Sequence, residues 1–237
     1  MRVEGAVALV TGANRGLGRH FAEALVRRGA AKVYGAARRP EQVTSAGVVP
    51  IRLDITDEAS VRAADAETGD VTLLINNAGM ASGASLLDGP MDEIRAVMES
   101  HFFGTLAVTR GFAPQLVSNG PSAVLNVVSV VSWIHPSMLG AYAAAKTAVW
   151  AQSDALREEL GPLGVALTAL HIGFMDTEMI ADLDTEKISP AVVADMALDG
   201  VEGGAVEVLT DELTRSAKSR LSTERVVGEP DLFAAYL

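Results

Sequence analysis

The sequence predicts an α/β protein: a single doubly wound domain built on a mostly parallel sheet. Short β-branched apolar runs alternate with amphipathic helical stretches along the chain. No linker, repeat or low-complexity segment interrupts them. Its 237 residues, 49% of them hydrophobic, suffice for one large core or two small ones, and the unbroken alternation favours one, spanning 1–237.

Residues 6–10, AVALV, read as a buried strand running straight into TGANRGLG, with glycines at 12, 16 and 18. FAEALVRRG continues as an amphipathic helix that Gly29 stops. A strand, a glycine turn and a helix N-terminus together suit a phosphate, because backbone amides can face it where no side chain intervenes. A second strand is expected at 31–36 and a third at 48–54, ending on Asp54. The stretch 57–67 reads as a helix with an acidic first turn, and 71–79 as a fourth strand ending in Asn76, Asn77, Ala78 and Gly79. The amide of Asn77 suits either the sheet edge or an adenosine.

The longest helical pattern spans 88–118, with Met91, Ile94, Met98, Phe102, Leu106 and Phe112 near helical spacing. A strand at 122–132, a helix at 141–160 and a strand at 165–172 follow. A polar, glycine-led stretch near 173–190 reads as a lid over a ligand. Ser189 and Pro190 open a helix to 204, and a last strand (205–209) and a last helix (211–221) complete the alternation.

Several function classes are excluded or disfavoured. A net charge of −11 argues against nucleic acid. No cysteine is present, so disulfides, thiolate nucleophiles and cysteine-bound zinc are out; a reducing, cytoplasmic setting is expected. The four histidines lack metal-ligand spacing, and no metal is expected. No apolar run reaches the ~18–20 residues of a membrane helix, and the first residues read as a strand rather than a signal peptide.

Chemistry concentrates at 126–146. Tyr142 and Lys146 lie four apart in an alanine-rich helix, which places a phenol and an ammonium on one face. Ser129 precedes the tyrosine by thirteen residues, on the strand feeding the same corner. Near the second strand's end, Ala37 stands where a carboxylate would hold a ribose 2′-hydroxyl, followed by Arg38 and Arg39, with Arg15 in the glycine turn. Guanidinium groups suit a 2′-phosphate, which favours NADP(H) over NAD(H).

Four markers, TGANRGLG, NNAG at 76–79, Ser129 and Tyr142-Ala-Ala-Ala-Lys146, resemble in order and spacing the short-chain dehydrogenase/reductase family. The resemblance implies a Rossmann-type fold and hydride transfer between nicotinamide and a carbonyl or secondary alcohol of a small molecule. It implies Tyr142 as general acid or base, Lys146 lowering the phenol's pKa and holding the nicotinamide ribose, and Ser129 binding the substrate oxygen. Ser132 is the rival serine, and the spacing selects Ser129. Cofactor contacts are expected at Gly12, Asn14, Arg15, Gly16, Leu17, Gly18, Arg38, Asp54, Ile55, Asn77, Ala78, Gly79, Tyr142, Lys146, Gly173 and Thr177. Members commonly pair their long helices, so a homodimer or homotetramer is expected.

Two departures stand out. His101 replaces the family's asparagine in the long helix; it could serve a proton relay or be a core histidine with one hydrogen bond. Ile172–Gly173 replaces Pro-Gly. Met80, Trp133, His135, Met138, Leu139, Phe174 and Met179 are candidate pocket residues. The resulting expectation is an NADPH-dependent carbonyl reductase or alcohol dehydrogenase. The alternative is an NADP(H)-binding sensor or scaffold with little turnover.

Overall fold

The computed structural model describes residues 1–80, 82–175 and 187–221. Seven parallel strands form one sheet in the order β3-β2-β1-β4-β5-β6-β7. They are β1 (Val7–Thr11), β2 (Lys32–Ala37), β3 (Val48–Arg52), β4 (Leu73–Asn76), β5 (Ser122–Val127), β6 (Val165–His171) and β7 (Glu207–Leu209). Between them run α1 (Gly16–Arg27), α2 (Glu58–Thr68), α3 (Met91–Met98), α4 (Gly104–Ser118), α5 (Gly140–Leu160) and α6 (Pro190–Glu202), with α7 (Glu212–Arg220) last. The strands are short and apolar because both faces of a parallel sheet are covered by helices. On one face Phe21 and Leu25 of α1 pack with Val193 and Leu198 of α6; on the other, Phe112 and Leu116 of α4 pack with Leu74 and Val124. Each fully buried leucine or phenylalanine there contributes about 1.5–3 kcal/mol over its exposed state.

Strand order reverses between β1 and β4, so the crevice beyond their carboxyl ends is where such a sheet takes a ligand. That edge departs from the sequence expectation in two places. The helix expected over 88–118 is interrupted at Glu99–Phe103 by a π-helical turn, which separates α3 from α4 and centres on buried His101. Just after it, a Cβ at Gly104 would lie 2.9 Å from Ile55 Cδ1, so glycine lets the 54–56 loop close against the helix. The strand expected over 122–132 ends at Val127, where β4 has already stopped. Its continuation still pairs on the other side, Val128 N to Leu170 O at 2.8 Å and Val130 N to Ile172 O at 2.8 Å, and coils into a 3₁₀ turn at Val130–Ser132. Most of the expected lid, with Thr177 and Met179, lies outside the described residues.

Candidate active site

Beyond the strand ends runs one continuous cleft of about 1670 Å³, lined by most of the residues singled out from the sequence. The glycine turn forms its floor. Gly12 and Gly16 have φ of +70° and +52°, which favour glycine, and a Cβ at Gly16 would meet nothing within 4 Å. Gly18 answers a different need: a Cβ there would sit 2.2 Å from the Gly12 carbonyl oxygen, so α1 can approach β1 only without one. No side chain caps α1 and no acid lies in its first turn, which leaves its amides and positive dipole end to an anion. These features fit a dinucleotide pyrophosphate. Leu17 borders the cleft, but its side chain is buried in the core; only its main chain is available to a ligand. Asn14 Nδ2 donates to Gln42 Oε1 at 3.3 Å.

At one end of the cleft Arg38 and Arg39 follow Ala37, the last residue of β2, opposite Asp54 and Ile55. The Asp54 carboxylate is turned into its own loop, accepting from Thr56 N at 3.0 Å and Thr56 Oγ1 at 2.8 Å. At the cleft's centre Asn77 holds the sheet edge: its Nδ2 donates to the Thr11 carbonyl at 2.9 Å. Thr11 was not singled out from the sequence, yet its hydroxyl accepts from Asn77 N and Ala78 N, both at 2.9 Å, and joins β1 to the NNAG turn. Behind it lies a buried relay of amides and hydroxyls. Asn76 donates to Asn126 Oδ1 (2.9 Å) and Thr109 Oγ1 (3.0 Å), and Asn126 donates to Ser153 Oγ (2.9 Å), tying β4 and β5 to the helices.

Ser129, Tyr142 and Lys146 converge at the other end. The Ser129 hydroxyl donates to the Ile172 carbonyl at 3.4 Å and accepts from Val131 N at 3.3 Å, and it lines the same end of the cleft as Tyr142. Lys146 Nζ donates to the Val127 carbonyl at 2.8 Å and lies 5.6 Å from the Tyr142 ring centroid. Burial pushes the phenol up to about 12, although part of the ring's surface is open to the cleft, and pushes Lys146 down to about 7. The lysine was expected to lower the phenol; in the chain alone burial dominates the phenol, and the Lys146 amine is engaged by the Val127 carbonyl. Ser132 faces away from the cleft, its hydroxyl fully buried and donating to the Ser129 carbonyl at 2.6 Å.

His101 is 3% exposed and packs edge-on to Tyr142, ring centroids 5.3 Å apart. Its Nε2 lies 2.7 Å from the Met80 carbonyl and 3.3 Å from Met80 N; a proton on Nε2 makes the shorter bond, with the ring donating to the carbonyl. A Cβ at Gly79 would fall 2.3 Å from His101 Cε1, so the turn's glycine makes room for the ring. Burial, then the nearby Lys146, hold the imidazole down at about 3, hence neutral near pH 7. Gly173 also has a neighbour that sequence reasoning missed. Asp211, the N-cap of α7, accepts from Gly173 N at 3.0 Å, and a Cβ on Gly173 would meet that carboxylate at 2.4 Å. Trp133, a candidate pocket residue, is 6% exposed and stacks on His171 in a core cluster.

Fold and site together define a nucleotide-dependent oxidoreductase, and comparison with known proteins agrees. The family profile described as short chain dehydrogenase matches residues 6–188. The chain is 30% identical over 218 residues to the 3-oxoacyl-[acyl-carrier-protein] reductase FabG of Salmonella typhimurium, covering 88% of each chain. It is 34% identical over 180 residues to an NADPH-dependent 1-acyldihydroxyacetone phosphate reductase of Schizosaccharomyces pombe, a match spanning 72% of this chain and 60% of that one. A short chain dehydrogenase from Burkholderia cenocepacia, crystallised in complex with NADP, superposes with a TM-score of 0.90 at 38% identity, covering 95% of this chain and 96% of that one. The chain belongs to the short-chain dehydrogenase/reductase family and is an NAD(P)-dependent oxidoreductase.

Proposed function

We propose that this enzyme is an NADP(H)-preferring carbonyl reductase, or in reverse an alcohol dehydrogenase, acting on small to medium, rather apolar substrates. The observation that carries the reading is the convergence of Ser129, Tyr142 and Lys146 on one cleft, with Lys146 Nζ 5.6 Å from the Tyr142 ring centroid. Ser129 and Tyr142 hold the substrate oxygen between two hydroxyls. In reduction Tyr142 gives its proton to that oxygen as the carbon gains a hydride, so the carbonyl becomes an alcohol. Burial in the chain alone pushes the phenol up to about 12, so it holds its proton at neutral pH, and a positive charge beside the phenolate favours the proton's release to the substrate oxygen. Lys146 offers positive charge to the phenolate left behind and has the reach to hold a ribose hydroxyl. The dinucleotide, when bound, supplies the hydride.

The NADP(H) preference draws support from Ala37 followed by Arg38 at the cleft's end, and from the NADP-bound and NADPH-dependent relatives. Gly12, Gly16 and the uncapped start of α1 receive the pyrophosphate; Asn77, Ala78 and Gly79 border the adenosine side; Gly173 borders the nicotinamide. We assign His101 a structural role. Exposed Met91 and Phe103 beside the long helices fit a homodimer or homotetramer.

The test is consumption of NADPH, followed by its absorbance, with a panel of aldehydes and ketones. Turnover of at least one carbonyl is expected. NADPH binding with no turnover across the panel would favour the sensor or scaffold reading, which His101 and Ile172 first suggested.

A further inference from the structure

Behind Ser129, away from the cleft, lies a buried polar and aromatic group for which the reaction above has no use. His171, the last residue of β6, is 0% exposed and stacks on Trp133 at 3.8 Å and 17°. Its Nδ1 lies 3.4 Å from both Ser132 Oγ and the Ser129 carbonyl oxygen. Its Nε2 faces Glu207 Oε1 at 3.6 Å, a carboxylate already met by Lys218 Nζ at 2.6 Å and Trp150 Nε1 at 2.9 Å. Burying so many polar groups where an apolar filling would pack as well costs stability. What the arrangement adds is a side-chain donor to one atom, the Ser129 carbonyl, which also accepts from Ser132 N at 3.1 Å, at the point where β5 has ended and β4 no longer flanks the chain.

We propose that Ser132 and His171 are positioning residues for the reaction: the Ser132 hydroxyl, oriented by the His171 ring, holds the Ser129 carbonyl and thereby sets where Ser129 Oγ stands in the cleft it shares with Tyr142. This rests on the roles proposed above for Ser129 and Tyr142. With its single hydrogen on Nδ1 the neutral His171 ring gives it to Ser132 Oγ, whose own hydrogen goes to the carbonyl at 2.6 Å; Nε2 then offers no hydrogen to Glu207, whose carboxylate is held instead by Lys218 and Trp150. Ser129 is extended, φ −169° and ψ 159°, so a turn of its peptide plane swings the hydroxyl, and a shift of about 1 Å in a reacting geometry can cost up to about a hundredfold in rate.

Ser132→Ala removes the hydroxyl with little change of volume. His171→Phe keeps the stack on Trp133 but loses the donor. His171→Asn puts an amide nitrogen near the place of Nδ1. With a carbonyl that the unaltered enzyme reduces, kcat should fall about tenfold in Ser132→Ala and His171→Phe, with the KM for NADPH within about twofold of the unaltered enzyme. His171→Asn should recover most of that loss. The chain's only tryptophans, Trp133 and Trp150, both lie against His171, so unchanged emission shows the cluster intact. If His171→Phe does not fold, Ser132→Ala decides alone. The proposal is overturned if kcat stays within about twofold of the unaltered enzyme in Ser132→Ala, or if a folded His171→Phe does as well as His171→Asn. An unaltered enzyme that turns over no carbonyl would strike instead at the reaction itself.

Discussion

Replacing His101 by asparagine, the residue the family usually carries there, tests whether the imidazole is structural. The shorter amide does not reach the Met80 carbonyl, which the ring meets at 2.7 Å, and leaves a void against Gly79. The lost hydrogen bond costs about 1–1.5 kcal/mol and the imperfectly filled space about 1–2 kcal/mol more. For a chain of this size the two together lower the melting temperature by roughly 5–10 °C. The pH dependence has a definite sign. The imidazole sits at about 3 in the folded protein against 6.5 when free, so between those values the unfolded chain binds the extra proton. His101's contribution is therefore complete above 6.5 and lost as pH falls towards 3, and the stability gap between parent and His101→Asn should narrow over that window. Scanning calorimetry from pH 4 to 8, paired with kcat/KM over the same range, reads both. An unchanged melting temperature together with loss of a rate-limiting ionisation near 6.5 would refute the structural role and restore the relay.

Two further predictions concern the cofactor. Arg38→Asp places a carboxylate where a 2′-phosphate is proposed to lie, and should shift the ratio of kcat/KM for NADPH over NADH about a hundredfold or more towards NADH; an unmoved ratio would mean that Arg38 does not read the phosphate. Gly18→Ala drives a methyl into the Gly12 carbonyl at 2.2 Å, a backbone clash that no rotamer relieves. Its dissociation constant for NADPH, measured by fluorescence titration, should rise at least about tenfold, and wild-type affinity would show the turn to be looser than its geometry states.

The sheet was legible in the sequence because its strands are short, mostly apolar runs, most of them bounded on at least one side by glycine or asparagine. The catalytic corner was legible because helical spacing alone puts Tyr142 and Lys146 on one face. What escaped depends on distant partners. Nothing local in 88–118 announces the π turn at 99–103, since it answers to Gly79 and Met80, some twenty residues earlier. Nothing near Gly173 points to Asp211, which reaches it only once α7 has docked. Spacing reports that a cation is near Tyr142 but not that Val127 engages it, nor how deeply the phenol is packed. Trp133 was offered to a pocket because apolar residues near a site look alike until burial separates them.

The central claim is that the Tyr142 hydroxyl delivers the proton. Tyr142→Phe removes that one oxygen and leaves Ser129 and Lys146 in place. Turnover of a carbonyl that the parent enzyme reduces should fall by about a thousandfold or more, while NADPH binds with unchanged affinity. Turnover within about tenfold of the parent would contradict the account.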